Sequence, residues 1–137
     1  MIFRSRFPQP YIPDQDLSAF VLAGAGDHLD RPALIDAASG RRLSYGDLRT
    51  QVDRFAGGLA QLGVGKGDVV AILLPNLPEY PVVFLGIARV GAASTTLNPT
   101  YTSREIAAQL ADSGASVVII TRRASTRPER PAGPASG

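Results

Sequence analysis

The chain contains no cysteine and only one histidine, His28. Without cysteine, disulfide bonds, thiolate chemistry and cysteine-ligated zinc are excluded. Asp27, His28 and Asp30 lie in one loop and lack a distant fourth ligand, which favours a solvent-facing turn over a metal site. A lone histidine with no positioned serine or cysteine does not support a catalytic triad. The sequence therefore predicts no catalytic, cofactor-binding or metal-ligating residue.

Long apolar runs are also missing. The longest, residues 82–88, is bounded by Glu79 and Arg89 and falls well short of the roughly 20 residues of a membrane span. The first 16 residues lack the apolar core of a signal peptide. We expect a cytoplasmic protein with no membrane partner.

The body of the chain has no net positive charge, although the net charge of the whole chain is +2 and the pI is about 9.4. Residues 122–137 carry +3, which leaves −1 for residues 1–121; the charged residues of that tail are Arg122, Arg123, Arg127, Glu129 and Arg130. A nucleic-acid-binding domain needs clustered Lys and Arg on its folded part. No nucleic-acid partner is expected.

The remaining composition, 45% hydrophobic and 19% charged over 137 residues, is typical of one globular domain. Residues 69–74 form an unbroken apolar run, which predicts a strand covered on both faces. Residues 93–97 and 116–120 are rich in β-branched side chains and predict two more strands. The segments between them are long enough for helical crossovers. The predicted fold class is α/β with a partial parallel sheet. If both crossovers advance in the same direction along the sheet, their helices would lie on the same face of it.

Helix-start patterns recur before three periodic segments, at Ser44 with Asp47, Asn76 with Glu79, and Thr102 with Glu105. They predict helices over residues 46–62, about 78–90, and 103–112. The first should bury Leu48, Val52, Phe55, Ala56, Leu59 and Leu62; the last should bury Ile106, Ala107 and Leu110. Upstream, residues 16–25 have helical spacing, and residues 33–36 and 42–44 flank a hairpin turn at residues 38–40.

Composition divides the chain into three parts. Residues 1–16 contain Pro8, Pro10 and Pro13 and predict an extended N-terminal arm whose apolar side chains lie against a larger body. Residues 17–121 form the folded part. Residues 122–137 lack large aliphatic side chains and predict a disordered Arg/Pro-rich tail. Its prolines, spaced by three, also match a polyproline II ligand, a pattern that arises easily by chance.

Two stretches resemble ligand-binding loops. Residues 58–68 are glycine-rich, but Ala60 and Gly67 stand where a phosphate-binding P-loop needs Gly and Ser or Thr, which favours a helix end and a turn. The loops at residues 75–77 and 98–102 follow strands, at the edge where open α/β sheets bind ligands. However, Asn76 and Thr102 are already assigned as helix caps, so a structural role is favoured.

These segments together resemble the N-terminal region of AMP-forming acyl-CoA synthetases, in the adenylate-forming superfamily. The resemblance rests on the order GV-x-KGD, PN-x-PEY, AR-x-GA and NP-x-YT over residues 62–121, preceded by RPALID and LSYGDL over residues 31–48. The opening IFRSRFP is most similar to the 4-coumarate:CoA ligase branch. Such enzymes activate a carboxylic acid with Mg-ATP and transfer the acyl group to CoA.

The resemblance covers residues 2–121, and the family's phosphate loop, adenine motif, ribose-binding aspartate and C-terminal lysine fall downstream of it. It therefore implies ATP, Mg and CoA for full-length relatives but no cofactor bound by this chain, and a carboxylic acid substrate only if the rest of the enzyme is supplied. The leading hypothesis is a truncated or frameshifted synthetase fragment, inactive alone, whose missing remainder is a partner. The alternative is a small free-standing α/β module that binds a ligand or partner.

Overall fold

The computed structural model describes residues 6–121. The predicted disordered tail, residues 122–137, and the first five residues of the predicted arm lie outside the described residues. In chain order the elements are α1 Leu17–Leu22, a 3-10 helix Ala23–His28, β1 Pro32–Ile35, β2 Arg42–Ser44, α2 Tyr45–Gln61, β3 Val69–Leu73, α3 Glu79–Arg89, β4 Ala93–Thr96, α4 Ser103–Ser113 and β5 Val117–Ile120.

The main sheet has three parallel strands in the order β4-β3-β5, as the α/β prediction required. The apolar strand β3 is central, with Ala71 opposite Thr95 of β4 and Val118 of β5. Strands β1 and β2 form a separate antiparallel hairpin. The three predicted strands of the sheet and the hairpin are thus confirmed to within a residue or two.

The direction of the crossovers was predicted wrongly. The connection from β3 to β4 moves to one side of β3, whereas the connection from β4 to β5 returns across β3 to the other side. Right-handed crossovers that move in opposite directions place their helices on opposite faces of the sheet. Strand order depends on long-range pairing, and no local pattern in the sequence encodes it.

The core lies between the sheet and α3. Val70 and Ile72 of β3 and Ile87 of α3 are fully buried in one apolar cluster, against which Val117 and Ile119 of β5 also pack. Because side chains alternate along a strand, Val118 and Ile120 point to the other face. This α3 face of the sheet is well covered.

Helix α4 lies on the opposite face and covers it poorly. The amide nitrogen of Gln109 donates to the Thr95 hydroxyl and to the Thr96 carbonyl, both at 3.0 Å. No residue of α4 is buried; Ala107 is exposed, and Ile106 and Leu110 are only half-buried, contrary to the prediction. Val118 and Ile120 remain 39% and 59% exposed. The β5 side of this face therefore keeps partly exposed apolar side chains, whereas Ala71 of the central strand is fully buried.

Helix α2 packs against α3 with the face that the periodicity predicts. Leu48, Val52, Ala56 and Leu59 are buried, whereas Leu62, at the end of the predicted face, is 74% exposed. The helices approach closely at Gly86 of α3, where an added Cβ would lie 2.6 Å from Phe55 Cδ1. Glycine is needed here for space.

The predicted helix caps are correct for α2 and α4 and wrong for α3, although α3 begins within a residue of its predicted start at about residue 78. Ser44 with Asp47 and Thr102 with Glu105 form complete capping boxes. Helix α3 is instead capped at Pro78 without a side-chain hydrogen bond, so Asn76 is not its cap. A helix capped at residue 76 would need a backbone N–H from Pro81 for its hydrogen bonds, and proline has none. With the observed start, Pro81 falls among the first helical positions, whose N–H groups have no partner within the helix.

The N-terminal part also differs in detail. Helix α1 ends at Leu22, and the chain continues as a 3-10 helix to His28, where the pattern predicted one helix to residue 25. Residues 6–16 contain no helix or strand. Phe7, Tyr11 and Ile12 are more than 80% exposed, so the arm does not bury these side chains as predicted.

Candidate functional site

The carboxyl ends of β3, β4 and β5 lie at one edge of the sheet because the strands are parallel. The loop after β3 leads to α3 on one face, and the loop after β4 leads to α4 on the other. Adjacent strands whose loops leave toward opposite faces form a switch point, where open α/β sheets bind ligands. This edge, with the loops at residues 74–78 and 97–102, is the candidate site.

The loop after β4 is held by its own side chains. The Asn98 side-chain oxygen accepts from the Thr100 amide at 3.0 Å and from its hydroxyl at 2.9 Å. Glu105 accepts from the Thr102 hydroxyl at 2.7 Å and from its amide at 2.8 Å. These bonds from Thr102 hold the pKa of Glu105 below its ordinary value, because they favour the ionised carboxylate. The polar groups of this loop thus stabilise α4, as predicted for Thr102.

The loop after β3 borders a cleft. It faces the β1–β2 hairpin across a space of about 580 Å³, lined by Leu34, Ile35, Asp36, Ala37, Ala38, Asn76, Leu77, Pro78, Tyr80 and Pro81. Arg41 of the hairpin forms an ion pair with Glu79 of α3. The sequence predicted both the loop and the hairpin but not their approach, because they are far apart along the chain.

A second cavity, of about 220 Å³, lies between α1, α2 and α3. Its lining includes Arg49, Asp53 and Arg89. Arg89 lies 3.2 Å from Asp53 and 4.0 Å from Asp16, so one guanidinium joins three helices. No sequence signal connects these distant residues.

The residues weighed as catalytic from the sequence do not assemble into a site. His28 ends the 3-10 helix, and within residues 6–121 no group of three or more His, Cys, Asp or Glu could hold a metal ion. The glycine-rich stretch is the end of α2 and a turn into β3, in which Asp68 accepts from the Gly65 amide at 2.8 Å. The interpretation as a helix end and turn is confirmed.

A parallel sheet with crossover helices on both faces and a switch point at its carboxyl edge defines a doubly wound α/β protein. The sequence model of a family described as AMP-binding enzyme matches residues 22–135. The chain therefore belongs to the AMP-binding enzyme family. The match extends past residue 121, into the segment that the sequence analysis separated as a tail.

The relatives include 4-coumarate–CoA ligases. The chain is 47% identical over 119 residues to 4-coumarate–CoA ligase 5 of Oryza sativa subsp. japonica, covering 86% of this chain and 22% of that protein. It is 45% identical over 127 residues to 4-coumarate–CoA ligase 4 of Arabidopsis thaliana, covering 89% of this chain and 22% of that protein. The chain thus spans about a fifth of the length of these curated relatives.

The solved structures agree with the fold. The N-terminal domain of FACL13 from Mycobacterium tuberculosis superposes with a TM-score of 0.70 at 30% identity, covering 76% of this chain and 26% of that one. The comparisons do not favour the alternative, a free-standing module.

No helix within the described residues is long and apolar enough to cross a membrane.

Proposed function

We propose that this chain forms the opening part of the adenylating domain of a carboxylic acid–CoA ligase related to the 4-coumarate–CoA ligases, and that it has no adenylating activity alone. The observation that carries the proposal is partial coverage: 86% of the chain matches a relative of which it spans 22%. ATP, Mg, CoA and the carboxylic acid are then ligands of the complete ligase. The proposal keeps the predicted cytoplasmic location and the predicted absence of a nucleic-acid partner.

The poorly covered sheet face supports this role. Val118 and Ile120 project from β5, whose outer edge has no partner strand within residues 6–121. Unpaired strand edges and exposed apolar faces are normally covered by further chain. We infer that the rest of the ligase packs against this face and supplies the ATP and Mg sites, while the present residues position the sheet.

The direct test is acid-dependent ATP–pyrophosphate exchange with 4-coumaric acid. The purified chain should show none, and measurable exchange by the chain alone would refute its inactivity. For the scaffold role, the chain is co-expressed with a form of the rice ligase that lacks the matching first fifth of its length. Exchange should appear only when both pieces are present. Failure to restore activity, when the rice ligase's own first fifth does restore it, would contradict the scaffold role.

A further inference from the structure

The cleft between the β1–β2 hairpin and the start of α3 is not used by the proposed function. Its volume, about 580 Å³, is within the range of small-molecule sites. Most of its lining is apolar, from Leu34, Ile35, Leu77, Pro78 and Pro81 among others. Three side chains can make polar contacts, those of Asp36, Asn76 and Tyr80. An apolar wall with a few polar groups is the usual composition of a ligand pocket.

The two walls of the cleft are joined by one ion pair, and each has its own backbone hydrogen bonds. The ion pair between Arg41 and Glu79 spans from the hairpin to the first turn of α3. The hairpin end is closed by the Asp36 amide, which donates to the Arg41 carbonyl at 2.8 Å. On the other wall the Tyr80 amide donates to the Leu77 carbonyl at 2.9 Å. The opening therefore does not depend on an unsupported loop.

The charge of the cleft has one sign. Among residues 6–121, Asp36 is the only charged residue in its lining. Its carboxylate accepts from the Ser39 hydroxyl and from the Ala38 amide, and these bonds lower the pKa of Asp36. Arg41, whose charge also lowers the pKa of Asp36, is shared with the carboxylate of Glu79, so these three residues together retain one negative charge.

We propose that this cleft binds a small primary amine with an aromatic or aliphatic body, its ammonium group paired with Asp36 and its apolar part against Leu77 and Tyr80. A carboxylate would be repelled by Asp36, and no cationic side chain in the lining would compensate. The tyrosine ring also offers an aromatic face to a cation. The cleft thus favours a positively charged ligand, whereas the acid of the proposed function is negatively charged. The two ligands therefore require separate sites.

The test is an NMR titration of the ¹⁵N-labelled 137-residue chain with phenethylamine, and in parallel with 3-phenylpropionate, which has a similar body and the opposite charge. The amine should produce saturable amide shifts at residues 35–38 and at residues 76, 77, 79 and 80. The carboxylate should bind at least about fivefold more weakly, as expected for loss of one charge pair. Equal affinities, or shifts confined to other residues, would overturn the proposal.

Two variants locate the site. Asp36→Asn retains an oxygen that can accept the Ala38 amide but loses the charge, so affinity for phenethylamine should fall about fivefold. Ala37→Trp places a bulky ring in the cleft from an exposed position and should abolish the shifts. Asp112→Asn, at the exposed end of α4, is the matched control and should bind like the parent chain. Unchanged binding in both cleft variants would refute the site.

Discussion

Ser18 is fully buried in α1, yet its hydroxyl has no hydrogen-bond partner among residues 6–121. Helix α1 packs against α3. Serine therefore leaves a polar atom buried without a partner in the described part of the chain. The helical spacing of residues 16–25 did not predict that Ser18 is buried, because periodicity does not show which neighbours a helix meets.

Replacing Ser18 with alanine should therefore stabilise the chain. Ser18→Ala removes a buried, unpaired hydroxyl with little change of volume, and the free energy of unfolding should rise by about 1 kcal/mol. Ser44→Ala is the matched control: it removes the hydroxyl that caps α2 and should lower the free energy of unfolding by about 1 kcal/mol. Urea unfolding followed by circular dichroism measures both. Destabilisation by Ser18→Ala would mean that the hydroxyl has a partner, such as a buried water.

At the scale of elements, the contact between α2 and α3 depends on the absence of a side chain at Gly86. An added Cβ would lie 2.6 Å from Phe55 Cδ1 and 3.4 Å from the Val52 carbonyl oxygen. Glycine is otherwise a poor helix residue, and alanine is favoured by about 1 kcal/mol in a helix interior. The close approach of α2 to α3 therefore favours glycine at residue 86, although a helix intrinsically prefers alanine.

Gly86→Ala tests which effect dominates. Overpacking costs about 1–3 kcal/mol, so a net destabilisation of about 1 kcal/mol is expected despite the gain in helix propensity. The control is Gly57→Ala in α2, an exposed position with no atom within 4 Å of an added Cβ, which should stabilise by up to about 1 kcal/mol. The midpoint of thermal unfolding reports both. Stabilisation by both variants would show that Phe55 moves aside without penalty.

The sequence predicted elements better than their arrangement. The apolar run of β3 and the capping boxes of α2 and α4 are local signals, and all three are confirmed. The cap of α3 was misplaced because two prolines follow the Asn76 signal. The burial of α4 was overestimated, since a periodic apolar stripe shows which side should be covered but not whether a partner is present.

At the scale of the molecule, the strand order and the cleft follow from contacts between segments far apart in sequence. The two crossovers move to opposite sides of β3, which creates the switch point. The approach of the hairpin to α3 creates the cleft. Neither has a local sequence signature. The motif order did identify the family, because it combines several weak patterns into a specific one.

The two faces of the sheet differ in a way that solution measurements can detect. Ile72 and Ile87 are fully buried on the α3 face, whereas Val118 and Ile120 on the α4 face are 39% and 59% exposed. Apolar surface of this kind binds anilinonaphthalene sulfonate, whose fluorescence rises when it leaves water. We expect the purified chain to bind this dye under native conditions, because the described residues cover the β5 side of the sheet only in part.

The double variant Val118→Thr and Ile120→Thr should lower that fluorescence, since threonine keeps the β-branched shape while adding a hydroxyl. Leu62→Gln removes an apolar side chain that is 74% exposed but lies beyond the end of α2 rather than on the sheet. It should leave the dye signal close to that of the parent, because a single exposed apolar side chain forms no patch. A parent chain that binds no dye and unfolds in one sharp transition would instead support a self-sufficient module. The β5 face would then not be the surface on which the rest of the ligase packs.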